Sequence, residues 1–279
     1  MHPTNCLNCG TLLTADDNFC PYCGQKSNVH RLKLSHILHE FLHSFTHADK
    51  GFLGITADLA LKPGIVAREY IAGKRKKYFN PFTYFLLCLG IMVFSANVFK
   101  TIHEPVPVDQ KIVQRIPTEE GRKQYIGIIT RSNNANAFLK KNLNIIAMLM
   151  LPLFSFLSWL FFRKRGYNYA ELTVAYMMYS SFWSLVFSIL FLPWLGLVKN
   201  ESVALSIAGA GILAQTFYIG IAHYRFFQFK NPFAVLLPML VSLLGAVFVF
   251  IAMILGMFYY VFQSNWWKML QLSWKQLTS

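Results

Sequence analysis

Cys6-Leu-Asn-Cys9-Gly10 and Cys20-Pro-Tyr-Cys23-Gly24 are two near-identical units with ten residues between them. A tight turn in each aims both thiolates at one point, and the glycine behind the second cysteine lets the backbone approach the sulfurs. Two such units supply four soft ligands, the closed tetrahedral set of a structural zinc site with no position left for water or substrate. The chemistry is therefore folding rather than catalysis, because residues 1–28 are too few to build a core without an ion. The expectation is a small zinc ribbon holding Zn2+ on Cys6, Cys9, Cys20 and Cys23 in a reducing compartment. The fifth cysteine, Cys88, stands inside an apolar run and reads as a buried small hydrophobe.

Two further groups have residue types that can do chemistry. Between Val29 and Ala48, apolar Leu34, Ile37, Leu38, Phe41 and Phe45 share one helical face, and His36, His39, Glu40, His43 and His47 share another. Three readings stay open from the residues alone: a second metal site on imidazoles one turn apart, a face that gains charge below about pH 6.5, or the wet side of a helix lying on a membrane. Glu171, His223 and Arg225 fall near the ends of apolar runs, and Gln215 lies deeper within one. They either meet in a polar pocket for transport or lipid handling, or serve locally, with Glu171 as a cap and His223 marking an interface. No Ser-His-Asp set, His-Glu-x-x-His or Gly-rich phosphate loop occurs, so no residues nominate an enzyme.

The elements around these residues belong in a bilayer. A chain of 279 residues that is 55% hydrophobic and only 14% charged is too apolar for a soluble domain of this size. Periodicity and hydropathy predict an all-α polytopic membrane protein with helices at 81–99, 143–162, 172–192, 203–222 and 233–262 and a polar loop at 100–142. Residues 29–80 read as amphipathic interfacial helices ending in a basic cluster, and 263–279 as an interfacial tail bearing Trp266, Trp267 and Trp274. No cleavable leader is read at the N-terminus, so the first membrane helix is expected to act as its own targeting signal.

The formal net charge of +14 is concentrated beside the spans. Lys74, Arg75, Lys76 and Lys77 precede the first helix, Arg163, Lys164 and Arg165 separate the second and third, and Arg225 and Lys230 separate the fourth and fifth. The positive-inside rule then puts the ribbon in the cytoplasm, with Arg68 and the Lys74–Lys77 run against anionic lipid headgroups. Arg68, Glu69 and Tyr70 are read as part of that headgroup shelf, or Arg68 and Glu69 as an internal pair. A basic patch without a reader motif argues against nucleic acid as the partner.

Pro63-Gly64, Glu69-Tyr70-Ile71-Ala72-Gly73-Lys74-Arg75 and Tyr78-Phe79-Asn80-Pro81, following the paired cysteine units, resemble a bacterial family of zinc-ribbon membrane proteins classed as a domain of unknown function. The resemblance covers roughly residues 1–90 and implies no activity. Tyr169-Ala-Glu-Leu-Thr-Val-Ala-Tyr176 and Leu192-Pro-Trp-Leu-Gly196 are similar to the Yip1-type membrane fold, whose relatives imply membrane-organising adaptors. The expectation that results is an inner-membrane scaffold presenting a zinc ribbon to a cytoplasmic protein partner, with a transporter or lipid-handling protein as the rival.

Overall fold

The computed structural model describes residues 5–14, 16–29, 31, 51–99, 105–198 and 200–262; among them there is no strand, only two isolated antiparallel bridges in the N-terminal module. His36, His39, Glu40, His43 and His47, like Trp266, Trp267 and Trp274, lie outside the described residues. Five helices are long and apolar enough to cross a membrane: Pro81–Val98, Asn144–Arg165, Tyr169–Leu197, Ser202–Phe226 and Pro232–Phe262. The protein is a multi-pass α-helical membrane protein. The chain divides into two compact units, Met1–Thr101 with Ala147–Gly245, and Ile102–Ile146 with Ala246–Ser279.

In the first unit, α1 (Phe52–Leu61) and α2 (Ile65–Ile71) lead through the basic run into α3 (Pro81–Val98). The Asn80 side chain accepts from the amides of Phe82 and Thr83, capping α3, and Pro81 occupies the first helical position, where its missing N–H costs nothing. The centre of the unit is α7 (Tyr169–Val186), in which every residue from Ala170 to Tyr179 is buried. A helix buried on all sides must be enclosed by its neighbours. One core cluster joins Ile55, Leu59, Val66 and Tyr70 of α1 and α2 to Tyr84 of α3, Leu172 and Tyr179 of α7, and Ala222 and Phe226 of α9 (Glu201–Phe226). Gly64 makes this approach feasible, since a Cβ there would stand 2.0 Å from the Ala222 carbonyl oxygen.

The third span differs most from its expected outline. It begins three residues earlier, at a capping box in which Asn168 accepts from the Glu171 amide and Glu171 accepts from the Asn168 amide. It also continues past Pro193: α7 widens into a π-helical turn at Phe187–Phe191 before α8 (Leu192–Leu197). Proline removes one N–H and crowds the preceding turn, and the wider turn accommodates both defects. The fifth span starts as a 3-10 turn at Pro232–Val235 before α10 (Leu236–Phe262).

In the second unit, α4 (Gln110–Arg115) is followed by α5 (Glu119–Lys141), a helix of 23 residues where the sequence reading has a polar loop. Thr118 caps it and Glu119 and Glu120 complement its dipole, whereas the asparagine-rich stretch at 133–136 has low helix propensity and hides the pattern. Arg131 Nε donates to the Val261 carbonyl at 2.6 Å, which satisfies one of the open acceptors at the end of α10.

Candidate metal centre

Each cysteine unit folds by the same two backbone hydrogen bonds. In the first, Cys6 N–H donates to Thr11 and Gly10 N–H to Cys6; in the second, Cys20 N–H donates to Gln25 and Gly24 N–H to Cys20. Gly10 and Gly24 both have positive φ, at 80° and 68°. The four sulfurs lie within 4.8 Å of one another, with Cys6 to Cys23 and Cys9 to Cys20 at 3.6 Å. A tetrahedral zinc with Zn–S of about 2.3 Å needs sulfurs roughly 3.8 Å apart, so the donor set fits this ion in number, type and spacing. Burial raises the Cys6 thiol to about 11, whereas hydrogen bonds from the Thr11 hydroxyl and amide lower Cys9 to about 6. Bound zinc would take all four as thiolates and hold the two turns together.

The N-terminal segment is seated on the helical unit at three places, two in the ribbon and one just after it. Gln25 Oε1 accepts from the Lys76 amide at 2.9 Å. Leu7 lies over Gly73, where a Cβ would come within 2.7 Å of its methyl group. Arg31 Nε and Nη2 donate to Glu171 Oε1 and Oε2 at 2.6 and 2.8 Å, and Nη2 also reaches the Gly166 carbonyl at 2.6 Å.

Gly73 is required twice over. Lys74 N–H donates to the Glu69 carbonyl and Gly73 N–H to the Tyr70 carbonyl, the paired bonds of a Schellman motif ending α2, with Gly73 at φ 110°. Any side chain there would strain the turn and displace Leu7.

A family model described as a protein of unknown function (DUF3667) matches residues 49–93, and a zinc-ribbon domain model matches residues 4–26. The two matched stretches touch. Gln25 and Leu7 belong to one, Lys76 and Gly73 to the other. No curated protein and no solved structure matches the chain.

The basic run is largely engaged inside the protein. Glu69 accepts from Lys74 Nζ at 3.2 Å, Lys77 Nζ at 2.7 Å and the Tyr78 hydroxyl at 2.5 Å. Lys77 first, then Tyr78, hold the Glu69 carboxyl down at about 2, and burial with the Glu69 bond pushes Tyr78 up to about 12. Arg68 does not pair with Glu69; its Nη1 donates to the Arg225 carbonyl, and Arg225 Nη1 donates to the Leu61 carbonyl. Arg75 also has an interaction partner. Lys76 is exposed, with its stem near Gly24.

Glu171, Gln215, His223 and Arg225 do not form one hydrogen-bonded group among the described residues. Glu171 is 4% exposed and carries the Arg31 fork plus the Asn168 amide, three hydrogen bonds that compensate a buried carboxylate. His223 sits among the rings of Phe162, Tyr176, Tyr179 and Phe227, with Nδ1 3.0 Å from the Ile219 carbonyl. That carbonyl can only accept, so Nδ1 carries the proton. Gln215 is half-buried farther along α9. Arg31 is the residue that sequence reasoning missed. The only available signal was a cation just after the ribbon, and its partner is 140 residues away.

Proposed function

We propose that this protein is an integral scaffold of a bacterial inner membrane whose cytoplasmic, zinc-folded cap is fixed on the helical bundle as a docking platform for another protein. The observation that carries the reading is the seat of the ribbon at Lys76 and Gly73, with Arg31, just after the ribbon, pinned to Glu171. A module on a free tether needs no such contacts, whereas a platform must be held in a defined orientation. With that side engaged, Leu12, Phe19 and Tyr22 of the ribbon remain 77%, 61% and 82% exposed, a rich supply of apolar contact for the short stretch matched as a ribbon, residues 4–26. A cytoplasmic placement agrees with thiolate ligands and with exposed Arg163, Lys164 and Arg165 in a loop whose Gly166 carbonyl is held by Arg31, just after the ribbon. Anionic headgroups are the natural counter-ions of that loop.

The test is a photo-cross-linking amino acid at Tyr22 in living cells. A discrete protein adduct that disappears in Cys20→Ser supports the platform. An absent adduct, or the same adduct without a folded ribbon, contradicts it.

A further inference from the structure

Two short links on one side of the bundle make a single cationic surface in the first unit. Span two ends at Arg165 and span three starts at Tyr169, while span four ends at Phe226 and span five starts at Pro232. Links this short between two crossings must lie at the membrane surface. Arg163, Lys164 and Arg165 in the first and Lys230 in the second are all exposed. Exposed Phe161 comes just before these cations and exposed Phe233 just after them, which marks where hydrocarbon begins.

The two links are packed together. The ring of Phe162, at the end of α6 (Leu143–Phe162), lies 4.7 Å from that of Phe227, and the Tyr167 ring lies 4.6 Å from that of Phe226. Gln228 has φ 52°, the one positive φ outside glycine among the described residues. The Phe229 amide reaches back to the Tyr224 carbonyl, so α9 closes in a Schellman turn with glutamine where glycine is usual. That turn lays Phe229 on Tyr224, ring centres 6.1 Å apart, and the Arg165 guanidinium covers Phe229 4.4 Å from its centre. Stacking fixes the plane of the guanidinium and leaves its N–H edge to a ligand.

We propose that these two links form a binding site for the phosphate of an anionic phospholipid, held by the Arg165 fork and by Lys230, with Arg163 and Lys164 adding to the field. None of the four cations has an ion-pair partner among the described residues. Glu171, the acid nearest to Arg165 in the sequence, is buried and taken up by Arg31. Lys230 also stands before the first turn of span five, at the positive end of a helix dipole, where a cation is unfavourable unless an anion accompanies it. Arginine matches two phosphate oxygens at once and lysine adds a point charge. Lipid is the source because Phe161 and Phe233 meet acyl chains beside the same cations. Such a site builds on the counter-ion role of residues 163–165 given above, but it needs neither the platform nor a protein partner.

Native mass spectrometry of the delipidated, zinc-loaded, full-length protein in detergent, titrated with phosphatidylglycerol or phosphatidylcholine, tests the site. One phosphatidylglycerol should bind saturably and at least about tenfold more tightly than phosphatidylcholine. Arg165→Gln with Lys230→Gln should weaken it about thirtyfold. Lys111→Gln with Arg115→Gln, which remove the same charge from exposed positions of α4, should change it less than about threefold. Arg165→Lys keeps the charge but loses the fork and should cost about fivefold. Equal losses in the two double variants would mean that binding follows net charge and would overturn the site, as would equal affinity for the two lipids or an unchanged affinity without Arg165 and Lys230. An Arg165→Lys protein that binds as tightly as the parent would overturn the forked contact, and displacement of the lipid by inorganic phosphate would overturn its assignment to lipid. No protein partner is present in the titration, so its outcome is independent of any cross-link at Tyr22.

Discussion

Two basic runs flank spans in this protein, and they are used differently. Lys74–Lys77 has Glu69 within reach: two of its lysines and the adjoining Tyr78 converge on that carboxylate, and the Lys76 amide holds the ribbon. Arg163–Arg165 is exposed, with Arg165 lying over the Phe229 ring 4.4 Å from its centre. The same composition thus serves as internal structure in one place and as surface charge in the other. What separates them is whether the local turn brings a carboxylate and a buried phenol to the cations. The Schellman turn at Gly73 folds the first run back on Glu69; the second ends at Gly166 and leads into α7.

The largest effect that sharpens this contrast is expected at the Arg31–Glu171 contact, which links the ribbon to the second run. Arg31→Ala leaves a buried carboxylate without its fork and should cost about 3 kcal/mol, the lower end for a broken buried pair because the Arg31 side chain is 58% exposed. Adding Glu171→Gln should recover part of that loss in thermal unfolding of the detergent-solubilised protein; strictly additive effects would mean that the two groups are not coupled. Next, Glu69→Gln weakens three hydrogen bonds to one carboxylate and should cost about 1.5–3 kcal/mol, whereas Arg163→Gln with Lys164→Gln should stay within about 0.5 kcal/mol of the parent. Equal losses in the two runs would erase the distinction.

The pH dependence follows from the same cluster. Because the folded protein holds Glu69 at about 2, below its ordinary 4.5, its contribution is complete above pH 4.5 and is lost as pH falls toward 2. Tyr78 is raised from 10 to about 12, so its contribution is complete below pH 10 and is lost as pH rises toward 12. Unfolding midpoints across pH should show both limbs, and Glu69→Gln should flatten the acid one. The contrast between the two runs also bears on lipid. Removing Arg163 and Lys164 should weaken preference for anionic over zwitterionic headgroups by about 1 kcal/mol per cation, and removing Lys74 and Lys77 by less, measured by lipid retention during purification.

The parts of this molecule that were legible beforehand depend on local chemistry. Paired cysteine units, the Asn80-Pro81 cap and uninterrupted apolar spans each specify their structure within a few residues, so the ribbon and the helical membrane class could be read directly. The seat of the ribbon could not, because Arg31 and Glu171 reveal each other only after the chain folds. Of the two readings left open for Arg68 and Glu69, the internal pair does not form, for a related reason: adjacent residues on a helix point in different directions, and Glu69 instead meets residues five to nine positions on, across the turn. Helix α5 was underestimated because its cap and first-turn acids are clear but its asparagines are poor helix formers.

The central claim is that metal folds the ribbon and that the folded ribbon sits on the loop leading into α3. Amide hydrogen exchange across residues 73–78, with zinc bound and after chelation, tests it most directly. Removing the metal should speed exchange at Lys76, whose amide loses Gln25, and leave the buried stretch of α7 from Leu172 to Tyr179 unchanged. Exchange at Lys76 that ignores the metal would show that the ribbon does not rest there.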